Sequence, residues 1–203
     1  QIKNSKDCNF RNGLCYRQTN NCTINNASGI KKGLKTELIF TGQSGWLQGG
    51  KYGFIFDSTL NDFVAGELEH QILSCVKNEN PDLIILEGQS GLKNPYGPCG
   101  TEFIVSAGAK GIILQIDPSR KYFDGLEVHK LKIGSIEDEI KIINLYGAEV
   151  IAITLHTSYL NQKKIEVLKQ NLNQNLGIPI IAPLIEDEKT LLKPVNQFLK
   201  NYL

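Results

Sequence analysis

Short apolar runs rich in β-branched residues recur along this chain from about residue 29, each followed by a stretch with helical periodicity. The runs do not alternate with polar residues. Strands of that kind must be covered on both faces, which is the condition of a parallel sheet sandwiched by helices. The pattern therefore predicts an α/β fold with three layers, a mostly parallel sheet carrying helices on both faces. Strands are expected at 35–41, 54–57, 83–87, 111–117, 149–155 and 179–182, and helices at 60–77, 101–107, 136–146, 161–176 and 189–203. Within 60–77, Leu60, Phe63, Val64, Leu68, Ile72 and Cys75 recur at helical spacing. Asn80-Pro81 ends that helix and opens the next strand.

A chain of 203 residues suits one domain with a core of its own. Its 22 basic and 21 acidic residues leave a net charge of +1. That balance argues against a nucleic-acid or anionic-membrane partner and leaves small molecules, with a homo-oligomer open. No apolar run reaches the roughly 18 residues of a membrane span, and the start, Gln1-Ile2-Lys3-Asn4, has no apolar leader. An odd total of five cysteines argues against a secreted disulfide framework, so a cytoplasmic location is expected. Cys8, Cys15 and Cys22 do not have zinc spacing. The sequence contains no Met, so a fragment, a processed form or an imperfect reading frame is expected. Residues 1–28 form an irregular Asn- and Cys-rich segment, and 29–203 form the α/β domain.

In open α/β sheets, ligands bind beyond the C-terminal ends of the strands. Two such ends carry the same tetrapeptide. Gly42-Gln43-Ser44-Gly45 follows the first run, and Gly88-Gln89-Ser90-Gly91 follows Glu87. Glycines allow close backbone approach, and exposed N–H groups cradle anions, so Gly42, Gln43, Ser44, Gly45, Gly88, Gln89 and Ser90 are candidate ligand-binding residues. Asp57 and Glu87 each end an apolar run, where nucleotide-binding α/β proteins hold Mg²⁺; a helix N-cap is the alternative for Asp57 and a loop hydrogen bond for Glu87. Asp117-Pro118-Ser119-Arg120 follows another run. There Asp117 can orient a ligand and Arg120 can grip a carboxylate or phosphate; an ordinary Asp-Pro turn is the alternative. His156 ends the 149–155 run, as an acid–base group or as a capping residue. Cys99 precedes a predicted helix and is a weaker nucleophile candidate.

The ordered set Phe40-Thr41-Gly42-Gln43-Ser44-Gly45-Trp46, Asp62-Phe63-Val64-Ala65-Gly66, Leu86-Glu87-Gly88-Gln89-Ser90, Asp117-Pro118-Ser119-Arg120, Leu155-His156-Thr157 and Gly177-Ile178-Pro179 resembles the P-loop-type domain of a bacterial and archaeal family long catalogued as of unknown function. Some members of that family are D-amino-acid (D-glutamate) N-acetyltransferases. The resemblance covers residues from about 35 to 200. It implies a P-loop NTPase-like fold, acetyl-CoA as co-substrate and a D-amino acid as acceptor, with Glu87 or His156 as the base and Arg120 toward the substrate carboxylate. The fold also resembles the dethiobiotin synthetase group, which implies ATP and Mg²⁺ at Asp57 and Glu87 as the alternative. Family members carry a separate N-terminal Rossmann-like domain, which is expected to be absent here.

One departure is large. The family's phosphate loop reads Gly-Thr-Asp-Cys-x-x-Gly-Lys-x-Thr-Thr, and no Gly-x-x-x-x-Gly-Lys-Ser/Thr occurs in this chain. In its place stands Arg11-Asn12-Gly13-Leu14-Cys15-Tyr16-Arg17-Gln18-Thr19-Asn20-Asn21-Cys22-Thr23. With suitable synonymous codons, that stretch read one base later encodes Gly-Thr-Asp-Cys-Ala-Ile-Gly-Lys-Arg-Thr-Thr-Ala-Leu. A frame-shifted segment up to about residue 25 is therefore expected, with a vacant or scrambled central strand, weak phosphate binding and little activity. A non-catalytic remnant or ligand-binding module is the third reading.

Overall fold

The computed structural model describes residues 13–17, 34–96 and 100–202, with Gly13–Arg17 described by its backbone. Among the described residues seven strands form one sheet: β1 (Gly13–Arg17), β2 (Thr36–Phe40), β3 (Tyr52–Gly53), β4 (Leu83–Gly88), β5 (Gly111–Ile116), β6 (Glu149–Leu155) and β7 (Ile180–Ile181). Their spatial order is β3-β2-β4-β1-β5-β6-β7, and every pair is parallel. The helices are α1 (Gln43–Leu47), α2 (Asn61–Glu79), α3 (Gly100–Val105), α4 (Ile136–Leu145), α5 (Gln162–Leu176) and α6 (Glu188–Leu199).

Side-chain alternation along the strands splits the core into two layers. On one face of the sheet, Ile84 and Leu86 of β4 join Ile39, Phe103, Ile143 and Ile165. On the other, Leu83 and Ile85 join Ile113, Ala152 and the α6 residues Leu191, Val195, Phe198 and Leu199. Both faces of β4 are thus buried, which is why its sequence shows no polar alternation. Helix α2 buries Val64, Leu68, Ile72 and Cys75 along one stripe. It stops at Asn80, which takes a left-handed conformation (φ 48°) and donates its N–H to the Val76 carbonyl. Helix α5 begins at Asn161, whose side chain accepts from the Lys164 N–H, and ends at Gly177 (φ 65°).

Three expectations are corrected. The 54–57 run is not a strand. Pairing with β2 stops after Gly53, and Phe56–Ser58 forms a 3-10 turn. The cause is aromatic: Phe54 stacks on Phe56 at 6.1 Å between centroids, and Phe56 lies 6.0 Å from Phe103, so both rings turn into the core. Residues 43–47, which fall in none of the expected helices, form the short helix α1. The central sheet position is not vacant, because β1 pairs with β4 from Gly13↔Ile84 to Arg17↔Gly88 and with β5 from Leu14↔Gly111 to Tyr16↔Ile113. The rest of the 1–28 segment, including Cys8 and Cys22, lies outside the described residues, and so does Cys99.

Candidate functional site

Because all strands run the same way, their C-terminal ends share one edge. The chain leaves β1 toward β2 and leaves β5 toward β6, in opposite directions across the sheet. That divergence places a crevice at the ends of β1 and β5, beside Asp117. Two groups of polar side chains stand along this edge.

The first group lies over β2 and β4. Thr41 is fully buried. Its N–H donates to Glu87 Oε2 at 2.9 Å, its hydroxyl donates to the Glu87 carbonyl at 2.8 Å, and Gln89 Nε2 donates to that hydroxyl at 2.9 Å. The Thr41 carbonyl accepts the Phe56 N–H at 2.9 Å. Thr41 therefore locks β2, β4 and the 3-10 turn together, with the buried Glu87 carboxylate held at their junction. A Cβ on Gly42 would sit 2.9 Å from Gln89 Nε2 and 3.8 Å from both Glu87 oxygens. Gly42 is thus small where the backbone passes the carboxylate.

The second group lies over β5 and β6. Asp117 Oδ1 accepts from the Ser119 N–H at 2.9 Å and from the Ser119 hydroxyl at 2.5 Å. This turn leaves Oδ2 facing His156, whose Nδ1 is 3.2 Å away. Nδ1 is buried and has no well-aligned hydrogen bond, so this carboxylate is its near neighbour without the geometry of a formed bond. On the other side of the ring, Nε2 lies 3.2 Å from the Ser158 hydroxyl. The His156 main-chain N–H donates to the Ile116 carbonyl at 2.8 Å, which ties the end of β6 to the end of β5. Tyr159 packs edge-on against the imidazole at 6.1 Å.

The predicted residues separate accordingly. Glu87, Gln89 and Gly42 come together, and so do Asp117 and His156. The two groups do not meet. Two strand spacings, about 10 Å, lie between β4 and β5, and three, about 14 Å, between β4 and β6. Asp57 is exposed in the 3-10 turn, and among the described residues no three His, Cys, Asp or Glu side chains cluster as a metal site. Gln43 and Ser44 are exposed on α1. Gly45 is a packing glycine, since a Cβ there would lie 2.3 Å from Phe40 Cβ. Gly88 closes β4, and Ser90 follows one residue after Gln89. Arg120 pairs with the exposed Asp124 at 2.8 Å, and its N–H donates to the Asp117 carbonyl. Sequence reasoning passed over Thr41 and Ser158 as site residues, although Thr41 stands inside a motif it singles out and Ser158 directly follows another.

Residues 21–192 match the model described as a domain of unknown function (DUF1611_C) P-loop domain. The chain belongs to the DUF1611 family. A crystal structure of a DUF1611 family protein from Anabaena variabilis superposes on this DUF1611 domain with a TM-score of 0.74 and 20% sequence identity. The match covers 92% of this chain and 58% of that one, so the chain spans little more than half of its relative's length. Cobyrinic acid a,c-diamide synthase from Mycobacterium smegmatis, with bound ADP and magnesium, gives a TM-score of 0.44 at 11% identity over 93% of each chain. The MinC:MinD cell division complex of Aquifex aeolicus gives 0.45 at 10% identity, over 91% of this chain and 85% of that one. No curated protein matches the sequence. The domain has a three-layer, P-loop NTPase-like α/β fold. No helix among its described residues is long and apolar enough to cross a membrane.

One sequence in the DUF1611 domain comes close to a phosphate loop. Gly45-Trp46-Leu47-Gln48-Gly49-Gly50-Lys51-Tyr52 has the glycine–lysine spacing but Tyr52 in the hydroxyl position. Its lysine stands at the wrong edge of the sheet. Lys51 precedes β3 and pairs with Glu79 at the end of α2, so it serves the opposite, N-terminal edge.

Proposed function

We propose that this domain carries out acyl transfer, moving an acetyl group from acetyl-CoA to the amine of a D-amino acid such as D-glutamate. The observation that carries the proposal is the Asp117–His156 pair, 3.2 Å apart and beside the switch point of the sheet. A general base needs a ring nitrogen directed at the substrate and a partner that fixes the tautomer. Asp117 Oδ2, close to Nδ1 but not yet aligned with it, is placed to act as that partner, and Ser119 holds Asp117 in place. His156 Nε2 then takes a proton from the attacking amine. Glu87 is the weaker base, because its carboxylate is already engaged by the Thr41 N–H. Arg120 sits on the same turn, and its surface pair with Asp124 contributes little, so a substrate carboxylate can replace that partner. Glu87 and His156 stand at the ends of strands about 14 Å apart, a separation that suits an extended donor, anionic at one end and reactive at the other.

The second reading, an ATP- and Mg²⁺-dependent carboxylate-activating enzyme, is favoured by one observation. Glu87 is a buried carboxylate near the end of a central strand, in register with Tyr16 of β1. Glu87 would be the protein's main metal contact there, with phosphate oxygens and waters completing the shell.

Calorimetric titration separates these readings. Acetyl-CoA binding without Mg²⁺ supports acyl transfer, and Mg²⁺-dependent ATP binding supports the second reading. Binding of neither leaves a non-catalytic remnant or a module for another ligand. Under acyl transfer, Asp117→Asn lowers kcat by about 10²–10⁴-fold with little change in acetyl-CoA affinity.

A further inference from the structure

Ser158 is exposed on the turn that follows β6, with its hydroxyl 3.2 Å from His156 Nε2. On the far side of the same ring stands Asp117 Oδ2, 3.2 Å from Nδ1. Hydroxyl, imidazole and carboxylate thus lie in series in the order of a nucleophilic triad, with the carboxylate close to Nδ1 but not yet aligned as its hydrogen-bond partner. The carboxylate is itself anchored, because Ser119 occupies Oδ1. A serine that donated to Nε2 only to steady the ring would leave the imidazole without a free lone pair for an incoming amine. A serine that is itself the first nucleophile removes that conflict.

We propose that Ser158 is a covalent nucleophile that carries the acyl group between donor and acceptor. The inference rests on the acyl-transfer reading only for the identity of the donor, an acyl thioester. Ser158 Oγ attacks the thioester carbonyl carbon while its proton passes to His156 Nε2. The C–S bond then breaks, and Nε2–H protonates the leaving sulfur. This leaves an ester on Ser158 and a free thiol. An amine attacks that ester carbonyl and gives its proton to Nε2, which returns it to Ser158 Oγ as the C–O bond breaks and the amide is released. Asp117 Oδ2 stabilises the imidazolium in both halves. No electrons are gained or lost overall, and the only co-reactants are the thioester and the amine.

The test uses this chain and p-nitrophenyl acetate, an activated ester that needs no coenzyme site. Intact-mass and peptide-mass measurements after brief exposure are expected to show one acetyl group, mapped to Ser158. Ser158→Ala and His156→Ala are expected to lose that label while keeping the wild-type far-UV circular dichroism. The wild-type map is decisive without either variant: acetyl groups found only on lysines, or no adduct at all, overturn the inference. Equal labelling in Ser158→Ala does the same. Acetyl-CoA binding with an unlabelled Ser158 removes the serine step and leaves acyl transfer standing, with His156 acting on the amine directly. A Ser158 ester with no acetyl-CoA binding keeps the nucleophile and removes the proposed donor.

Discussion

Gly42 and Gly45 belong to one tetrapeptide and look interchangeable, yet their neighbours differ in kind. A methyl on Gly45 meets the Cβ of a buried phenylalanine, which cannot move without shifting β2. A methyl on Gly42 meets the end of the Gln89 side chain, which can swing away. Gly45→Ala is therefore expected to cost about 1–3 kcal/mol by overpacking. Gly42→Ala should cost about 0.5–1.5 kcal/mol, the value of the Gln89–Thr41 hydrogen bond. Urea midpoints of the two variants, compared side by side, check the ordering. Glu87 adds a second case. Glu87→Ala leaves the buried Thr41 N–H without its acceptor and is expected to cost about 1–3 kcal/mol, whereas Glu87→Gln keeps an acceptor oxygen and costs less. A stability loss of similar size in both variants would show that the negative charge itself holds the loop. The sequence showed where these residues stand, because strand ends are legible from apolar runs. It did not show that Gly45 serves Phe40, or that Thr41 rather than the flanking glycines joins two strands. Those facts depend on contacts between β2, β4 and the 3-10 turn, which are remote along the chain.

Elements were read most faithfully where one face or both faces are fully apolar. β4, β5, β6, α2 and α5 stand where their patterns put them, because burial decided both pattern and structure. The misplaced 54–57 run shows the limit of that logic. An apolar stretch can be buried as a strand or as a turn that tucks its rings inward, and periodicity over so few residues does not distinguish them. Caps are equally local and are testable. Asn161→Ala removes the side chain that satisfies the Lys164 N–H and is expected to lower stability by about 1 kcal/mol, measured by thermal or urea unfolding. At the N-terminal edge, Glu79 of α2 binds Lys51, then Lys35 at 3.0 Å, and accepts from the Tyr52 hydroxyl at 3.1 Å. These partners, Lys51 foremost, pull its carboxyl down to about 2. A carboxylate with a lowered folded-state pKa contributes stability above its ordinary value of 4.5. That contribution declines as the pH falls from about 4.5 toward 2. Unfolding midpoints measured across this window should fall with pH, and Glu79→Gln should flatten that part of the curve.

At the scale of the molecule, fold class was legible throughout the region that follows the composition change, and the family match begins at residue 21, close to that change. We propose that residues up to about 25 descend from a shifted reading frame. Determining the coding DNA for residues 8–28 tests this: codons that yield Gly-Lys-Arg-Thr-Thr one base later support it, and codons that cannot do so remove it. The site was less legible than the fold. The carboxylate–imidazole–hydroxyl series joins a turn after β5 to a turn after β6, and only the parallel register of Ile116 with Leu155 brings them together.

The middle strand has a consequence for how the molecule comes to exist. Among the described residues β1 pairs with β4 and β5, which are made much later as the chain emerges. It must therefore wait, and closing so long a loop is slow. Until it docks, the sheet is two half-sheets, each with a raw inner edge that invites pairing with another chain. A shortened chain beginning at residue 34 should accordingly aggregate, and a separate peptide containing residues 13–17 should suppress that aggregation by taking the empty slot. Light scattering with and without the peptide reads this directly. The centre of the sheet is thus a keystone set last, and its timing governs whether the two halves meet each other or a stranger.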